Sequence, residues 1–531
     1  MIIALSHSGT DPSGTSGEDV DLARHVHGID IIASGHTHTP LAAVHAIANG
    51  AWTTQIIDAG AYGTNVARLD VTYNSTAKTT TVNAYSNLAM TDAALAANGV
   101  TPDDAWKRIV QFTDAQLNGA LAPLFKTIFV DYSPASVGTG IYHPVATAAQ
   151  DMVSNSSNPV AAPNGLGDLV ADAQRNTANA IIAKAAPNIP DFDYTPFQLG
   201  AVATGVLRTR LRAGVPITFA DIYGVAPLGI TPDLTQALPI GYPMISLYLN
   251  VDDLKQVAAL QLVAQSALVN SDFYLNLSGI QYTLKPDAAK AYFKSATAAA
   301  VLQIVSAKAA AGSTAALQAL GALQSNAASL PMLAATNPYA AALVNLNDPG
   351  QYAANLGELG NVALAALKGT ISSYIVSKAT AAIDTVSGFA PNDPENTGTA
   401  TPLVSGTRVR AIVDLYAALL LGAVNAQYGT TIQVWPSATS TAPMQTLTQF
   451  ILNRVDSDPA TAGTQELKEW TALLSYVTAG LGGNISSDYA STTNFAEFPS
   501  FGKAVKTRDA NYPLASVGQM MTTLGGLQAA P

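Results

Sequence analysis

Ile29-Asp30-Ile31-Ile32-Ala33-Ser34-Gly35-His36-Thr37-His38 is the stretch on which the reading of this chain turns. A short apolar run is followed at once by a glycine and two histidines at i, i+2, the pattern of a buried strand that delivers polar side chains at its carboxyl end. Upstream, Ile2 to Leu5 is a second such run, and His7 follows it directly. Between the two lie a turn-rich stretch, Gly9 to Gly17, and a short helix expected over Val20 to Val26, with Ser16 as its N-cap, Asp19 three residues on and Gly28 as its stop. The unit is β–loop–α–β, and histidines emerge at the same edge of both strands. In open parallel sheets that edge is where ligand sites form.

Composition sets the limits. The chain has 531 residues, a formal net charge of -11, 11% charged residues and no cysteine. That length suggests about two to four domains. A pI near 5.0 argues against a binder of nucleic-acid polymers, which needs clustered Lys and Arg. The lack of Cys excludes a disulfide scaffold, a thiol nucleophile and a Cys-built metal site. No membrane span is expected, because the most apolar run, Leu415 to Val424, falls far short of the roughly 20 residues a bilayer requires.

Six of the seven histidines lie in the first 45 residues. His36 and His38 after Gly35 can splay into two adjacent metal positions, with His7 on the neighbouring strand, and neutral imidazole suits Zn, Mn, Fe or Co. His25 and His27 are expected to face solvent from the helix, His45 to be an exposed strand position, and His143 to have no role.

Leu5-Ser6-His7-Ser8-Gly9, Glu18-Asp19, Gly28-Ile29-Asp30 and Gly35-His36-Thr37-His38-Thr39, in this order and spacing, resemble the calcineurin-like metallophosphoesterase domain of 5′-nucleotidases and 2′,3′-cyclic-nucleotide phosphodiesterases. Downstream, Gly165-Leu166-Gly167-Asp168-Leu169, Thr204-Gly205-Val206-Leu207-Arg208 and Asn276-Leu277-Ser278-Gly279-Ile280 are similar to the C-terminal domain of the same family. The resemblance implies an α/β and α+β fold. It would be the C-terminal half of a metallophosphoesterase β-sandwich, followed by a mixed α/β 5′-nucleotidase C-terminal domain with an Ala-rich helical insert. Expected boundaries are 1–100 for the first part, 101–124 for a linker helix stopped by Pro123, and 125–531 for the second part, with the insert at 287–404.

The resemblance also implies roles. His7 and His36 would be ligands of one metal of a two-metal site, and His38 of the other. Arg208 would contact phosphate beside Gly205, and Tyr274 and Asn276 would stack on and hydrogen-bond the base. The family's D-x-H, G-D and G-N-H-D/E motifs, which supply the other ligands and the catalytic histidine, would precede His7. They are not found before it, so the chain resembles an N-terminally truncated member. No catalytic residue is identifiable, and at most one of the two divalent ions (Zn, Mn, Co or Fe) is expected here. The implied function is metal-dependent hydrolysis of nucleotides or other small phosphoesters, in the periplasm or outside the cell, with possible association with the N-terminal half. The alternative is an inactive nucleotide- or phosphate-binding protein.

Overall fold

The computed structural model describes residues 1–489 apart from 12–13, 15, 62, 102, 129–139, 154–164, 237–238, 265–273, 345–351, 369 and 392–398. The expected loops and short helix of the last 40 residues lie outside the described residues. The fold is mixed α/β, and the chain divides into two compact units, Met1–Gly119 and Ala120–Pro531.

The first unit runs β1 (Ile3–Leu5), α1 (Glu18–His25), β2 (Ile31–Ser34), β3 (His45–Asn49), β4 (Trp52–Asp58), β5 (Asn65–Asn74), β6 (Thr79–Ala89), α2 (Asp92–Ala97) and then α3 (Asp104–Ile128). Its sheet has the order β1-β2-β4-β3, with β1, β2 and β4 parallel, and β5 and β6 form a separate hairpin. Val20, Ala23, Ile32, Leu41 and Ile56 make its buried core. The β–loop–α–β unit is present, with two differences. Gly17, not Ser16, is the N-cap and caps without a side chain. β1 is not buried on both faces: it is an edge strand, with Ile3 51% and Leu5 87% exposed. Helix α3 passes through Pro123, which removes one N–H from the ladder without ending it.

The second unit continues with β7 (Pro144–Ala148), α4 (Gly165–Lys184), β8 (Leu199–Ala203), β9 (Ile217–Thr218), α5 (Phe219–Val225), β10 (Met244–Asn250), α6 (Leu254–Ala264), β11 (Leu275–Ser278) and β12 (Ile280–Leu284). The helical insert follows as α7 (Pro286–Ala310), α8 (Thr314–Asn326), α9 (Leu330–Leu333), α10 (Pro338–Val344), α11 (Tyr352–Leu367) and α12 (Ile371–Ala382). The chain then makes β13 (Ile383–Gly388), β14 (Thr401–Pro402), β15 (Arg408–Asp414), α13 (Leu415–Tyr428), β16 (Val434–Trp435), α14 (Leu447–Leu452), α15 (Glu469–Ser475) and β17 (Asn484–Ile485).

The central sheet has the order β11-β8-β15-β10-β16. Its core is continuous with the insert, so Leu247, Leu277, Tyr292, Val305, Leu343 and Ile375 share one buried cluster. Alanine on α7 and α12 lets the helices approach closely. The insert ends in two helices, α11 and α12, and then strand β13, which pairs with β12. The apolar run Leu415 to Val424 lies within α13, capped by the Asp414 carboxylate, which accepts from the Ala417 N–H at 2.9 Å. Among the described residues no helix is long and apolar enough to cross a membrane.

Candidate functional site

Two regions gather the polar residues singled out from the sequence, one in each unit. In the first, Asp19 fastens the strand ends. Its buried carboxylate accepts from the Ser6 hydroxyl, the Gly9 N–H at 3.1 Å and the Ser34 hydroxyl at 2.6 Å, so the termini of β1 and β2 are fixed together. This sets His7 against His36, ring centroids 5.1 Å apart and edge-on. A Cβ on Gly35 would come within 3.2 Å of the His7 Nδ1, so the glycine admits the imidazole against the backbone. His36 and His38 have φ of 73° and 55°. Two non-glycine residues in that region cost roughly 1–3 kcal/mol each, a concentration of strain expected at ligand sites.

One further group comes into reach. Asp58 ends β4, opposite Ser34 in the register, and is buried. Its Oδ1 accepts from the Gly60 N–H at 2.7 Å, while its Oδ2 is buried without a hydrogen-bond partner. Burial raises its pKa above the usual carboxylate range, partly offset by the Gly60 hydrogen bond, with Asp19 adding to the rise and His7 opposing it. The structure thus brings His7 and His36 together and sets Asp58 within electrostatic reach of His7. It does not gather a metal centre: among the described residues no group of three or more His, Asp or Glu side chains is placed to hold an ion. The donors present do not fit the two-metal group implied by the resemblance.

The second region is built around Arg208. The turn Thr204–Val206, which contains Gly205, precedes it, and the Arg208 N–H donates to the Val225 carbonyl at 2.9 Å. Asn276 of β11 and Tyr274, which precedes that strand, brace the turn. The Tyr274 carbonyl accepts from the Thr204 N–H at 2.8 Å, and the Asn276 amide donates to the Val202 carbonyl and to the Thr204 Oγ1 at 3.1 Å. Both side chains are 1% exposed, and the Tyr274 hydroxyl accepts from the Gln261 amide, so their surroundings are the core and not an open pocket. The Arg208 Nε is buried without a partner among the described residues.

Two aromatic rings that the sequence did not single out stand in this region. Tyr242 and Tyr416 stack, with centroids 5.8 Å apart and planes at 19°. Tyr242 lies on Gly229 (φ +89°), where a Cβ would sit 2.2 Å from the ring. The turn after Pro227-Leu228 therefore receives an aromatic ring from residue 242. Burial raises the Tyr242 pKa, with Asp414, Tyr416 and Glu469 adding to the rise and Arg208 opposing it. Arg208 therefore lies within electrostatic reach of the stacked pair.

Two buried carboxyls lie within electrostatic reach of Tyr242. Glu469 accepts from the Gln174 amide at 3.1 Å, and its pKa is raised well above normal by burial and then by Asp414. Burial pushes Asp414 up to about 6. Asp414 Oδ2 and Glu469 Oε2 are both buried without hydrogen-bond partners, and burial favours the neutral form of each carboxyl.

Residues 144–303 match the 5′-nucleotidase C-terminal domain family, a span that contains Gly205, Arg208, Tyr242, Tyr274 and Asn276. Through this segment the chain resembles 5′-nucleotidases. Among solved structures, it is similar to a 5′-nucleotidase precursor from Thermus thermophilus at 15% identity and a TM-score of 0.42, covering 88% of this chain and 61% of that one. It is also similar to the NAD nucleotidase of Haemophilus influenzae at 11% identity and a TM-score of 0.29, covering 90% of this chain and 64% of that one. A putative 5′-nucleotidase from Staphylococcus aureus matches at 15% identity and a TM-score of 0.29, over 52% of this chain and 47% of that one. The chain thus spans less than two thirds of the length of each of these proteins. No curated protein sequence matches it.

Proposed function

We propose that this chain recognises a nucleotide, or another small phosphoester, as part of a metal-dependent phosphohydrolase of the 5′-nucleotidase type. The observation that carries the reading is Arg208: a guanidinium in the family-matched span, held by a braced turn, with a buried Nε unpartnered and a stacked tyrosine pair in reach. A planar guanidinium pairs bidentately with phosphate, and aromatic faces hold a base without sequence-specific contacts. Hydrolysis would draw on a divalent-metal centre, to which His7, His36 and His38 would contribute, with the remaining ligands coming from residues other than those gathered here. A separate metallophosphoesterase polypeptide is one source of them. The resemblance implies a periplasmic or extracellular home for this chemistry.

A second reading, a nucleotide- or phosphate-binding protein without turnover, is favoured by the lack of a three-ligand metal group among the described residues. Calorimetry with AMP and with inorganic phosphate, paired with phosphate-release assays with and without Mn²⁺, separates the two. Binding with metal-stimulated release supports the hydrolase, and binding without release supports the binding protein. Failure of both ligands to bind overturns both.

A further inference from the structure

A cavity of about 550 Å³ opens between α4, the 189–197 loop, β10, β15 and the 452–463 segment. That volume is typical of small-molecule sites. Its wall includes Arg410 of β15, which is only 8% exposed. The guanidinium lies over the Phe197 ring at 4.0 Å. Its Nε donates to the Ser246 Oγ at 2.9 Å, and its Nη1 donates to the carbonyls of Asp193 and Thr195 at 2.8 and 2.7 Å. No described residue accepts from Nη2. A buried arginine with a donor to spare on a cavity wall is an uncommon feature of a core.

The charge around it is already balanced. The Asp193 carboxylate lies 3.5 Å from the Arg410 Nε and accepts from the Tyr248 hydroxyl. Arg454, also on the wall, is committed to Asp233 and Glu466. A free anion would therefore find no uncompensated cation, and it would face Asp193 and Asp456. What the cavity offers is a mixture of donors and acceptors. Ser246 accepts from Arg410 and so keeps its own proton to donate. Asp456 uses Oδ1 for the N–H groups of Asp458 and Gln465, and among the described residues none donates to its Oδ2. Ile181, Ile182 and Phe192 give an apolar wall.

We propose that this cavity binds a neutral, hydroxyl-bearing ring of monosaccharide size, either a free sugar or the ribose of a nucleoside. Hydroxyls of such a ring meet both the Arg410 Nη2 and the Asp456 carboxylate, while its C–H face lies on the isoleucines. The site is separate in its residues from the Arg208 region and does not depend on the reading of that region.

The test is ligand-observed NMR and calorimetry on the full chain with D-glucose, D-ribose, adenosine and, as the anionic control, inorganic phosphate. The expected result is binding of at least one neutral probe with a Kd of about 1 mM or tighter. Ile182→Trp, which fills the cavity, and Ser246→Ala, which removes the hydroxyl, should each weaken that binding by about tenfold or more, equivalent to one decade in Kd. Circular dichroism checks that each variant is folded, and either one alone suffices. Binding of adenosine without glucose identifies the nucleoside as source, and binding of glucose identifies the free sugar. The proposal is overturned if no neutral probe binds, if Ile182→Trp and Ser246→Ala leave binding unchanged, or if the signal disappears on Tyr416→Ala instead. Phosphate as the sole ligand lost on filling the cavity overturns the assigned chemistry.

Discussion

The imidazole corner of the first unit and the arginine region of the second are built on opposite terms. Around His7 and His36 the support is thin: an edge strand with Leu5 87% exposed, a small core, and positive φ at two of the three histidines. Around Arg208 the support is deep, because the preceding turn is held by Tyr274 and Asn276, each 1% exposed, and its neighbours are core strands. A metal centre needs several ligands fixed at once, whereas a phosphate contact needs one well-held guanidinium. The Arg208 region is thus held by the core of its unit, and the imidazole corner by an edge strand and a small core.

The comparison can be broken at several points. Arg208→Ala should have the largest effect, weakening AMP and inorganic phosphate alike by about 100-fold in calorimetry, since charged hydrogen bonds are each worth about 1.5–3 kcal/mol. Equal affinity in the variant would remove the arginine region from the proposal. Asn276→Ala should lower stability by about 1–3 kcal/mol by leaving the Thr204 hydroxyl and the Val202 carbonyl without their donor, measured by urea unfolding. If Asn276 instead contacts a base, stability should hold while only nucleotide affinity falls.

Tyr416→Ala should cost about tenfold in affinity for AMP and nothing for phosphate, in line with stacking worth about 1–3 kcal/mol per base. Asp414→Asn tests the buried pair. Its folded pKa of about 6 lies above the ordinary value of 3.8, so the folded state holds more protons between those values. Stability is then highest at low pH and declines as pH rises towards 6. Asparagine still caps α13, so the variant should gain about 1 kcal/mol at pH 8 and lose that slope in a series of thermal melts. Smallest of all, His7→Ala should leave phosphate affinity within about twofold, the usual scatter for a site with no shared partners. A larger change would tie the two regions together.

The sequence exposed part of each region, for identifiable reasons. The apolar runs ending in His7 and in Gly35-His36 mark strand ends because parallel strands lack alternation and stop at turn residues, and the structure has both strands in parallel register. Arg208 was found through its local segment. Tyr274 and Asn276 sit before and on a strand whose pattern is legible, but which side chains open to solvent depends on what packs above. Both are enclosed by the turn at Thr204. Tyr242 gave no signal, since it meets Tyr416 across 174 residues of chain. Asp58 was only one of several local carboxylates until the register set it at the same sheet edge as His7. The insert's helices were legible from alanine density, yet the break before Ile371 and the turn into β13 were set by pairing with β12.

By itself the sequence determined the α/β alternation, the family resemblance of residues 144–303 and the residue types available for chemistry, because periodicity and short motifs are local properties. The tertiary structure alone decided which side chains meet. It stacked Tyr242 on Tyr416, buried Asp414 and Glu469 within electrostatic reach of each other, opened a cavity beside Arg410, and gathered no three-ligand metal group among the described residues. These outcomes depend on burial and strand register, which bring together residues far apart in the chain, and no local pattern encodes them.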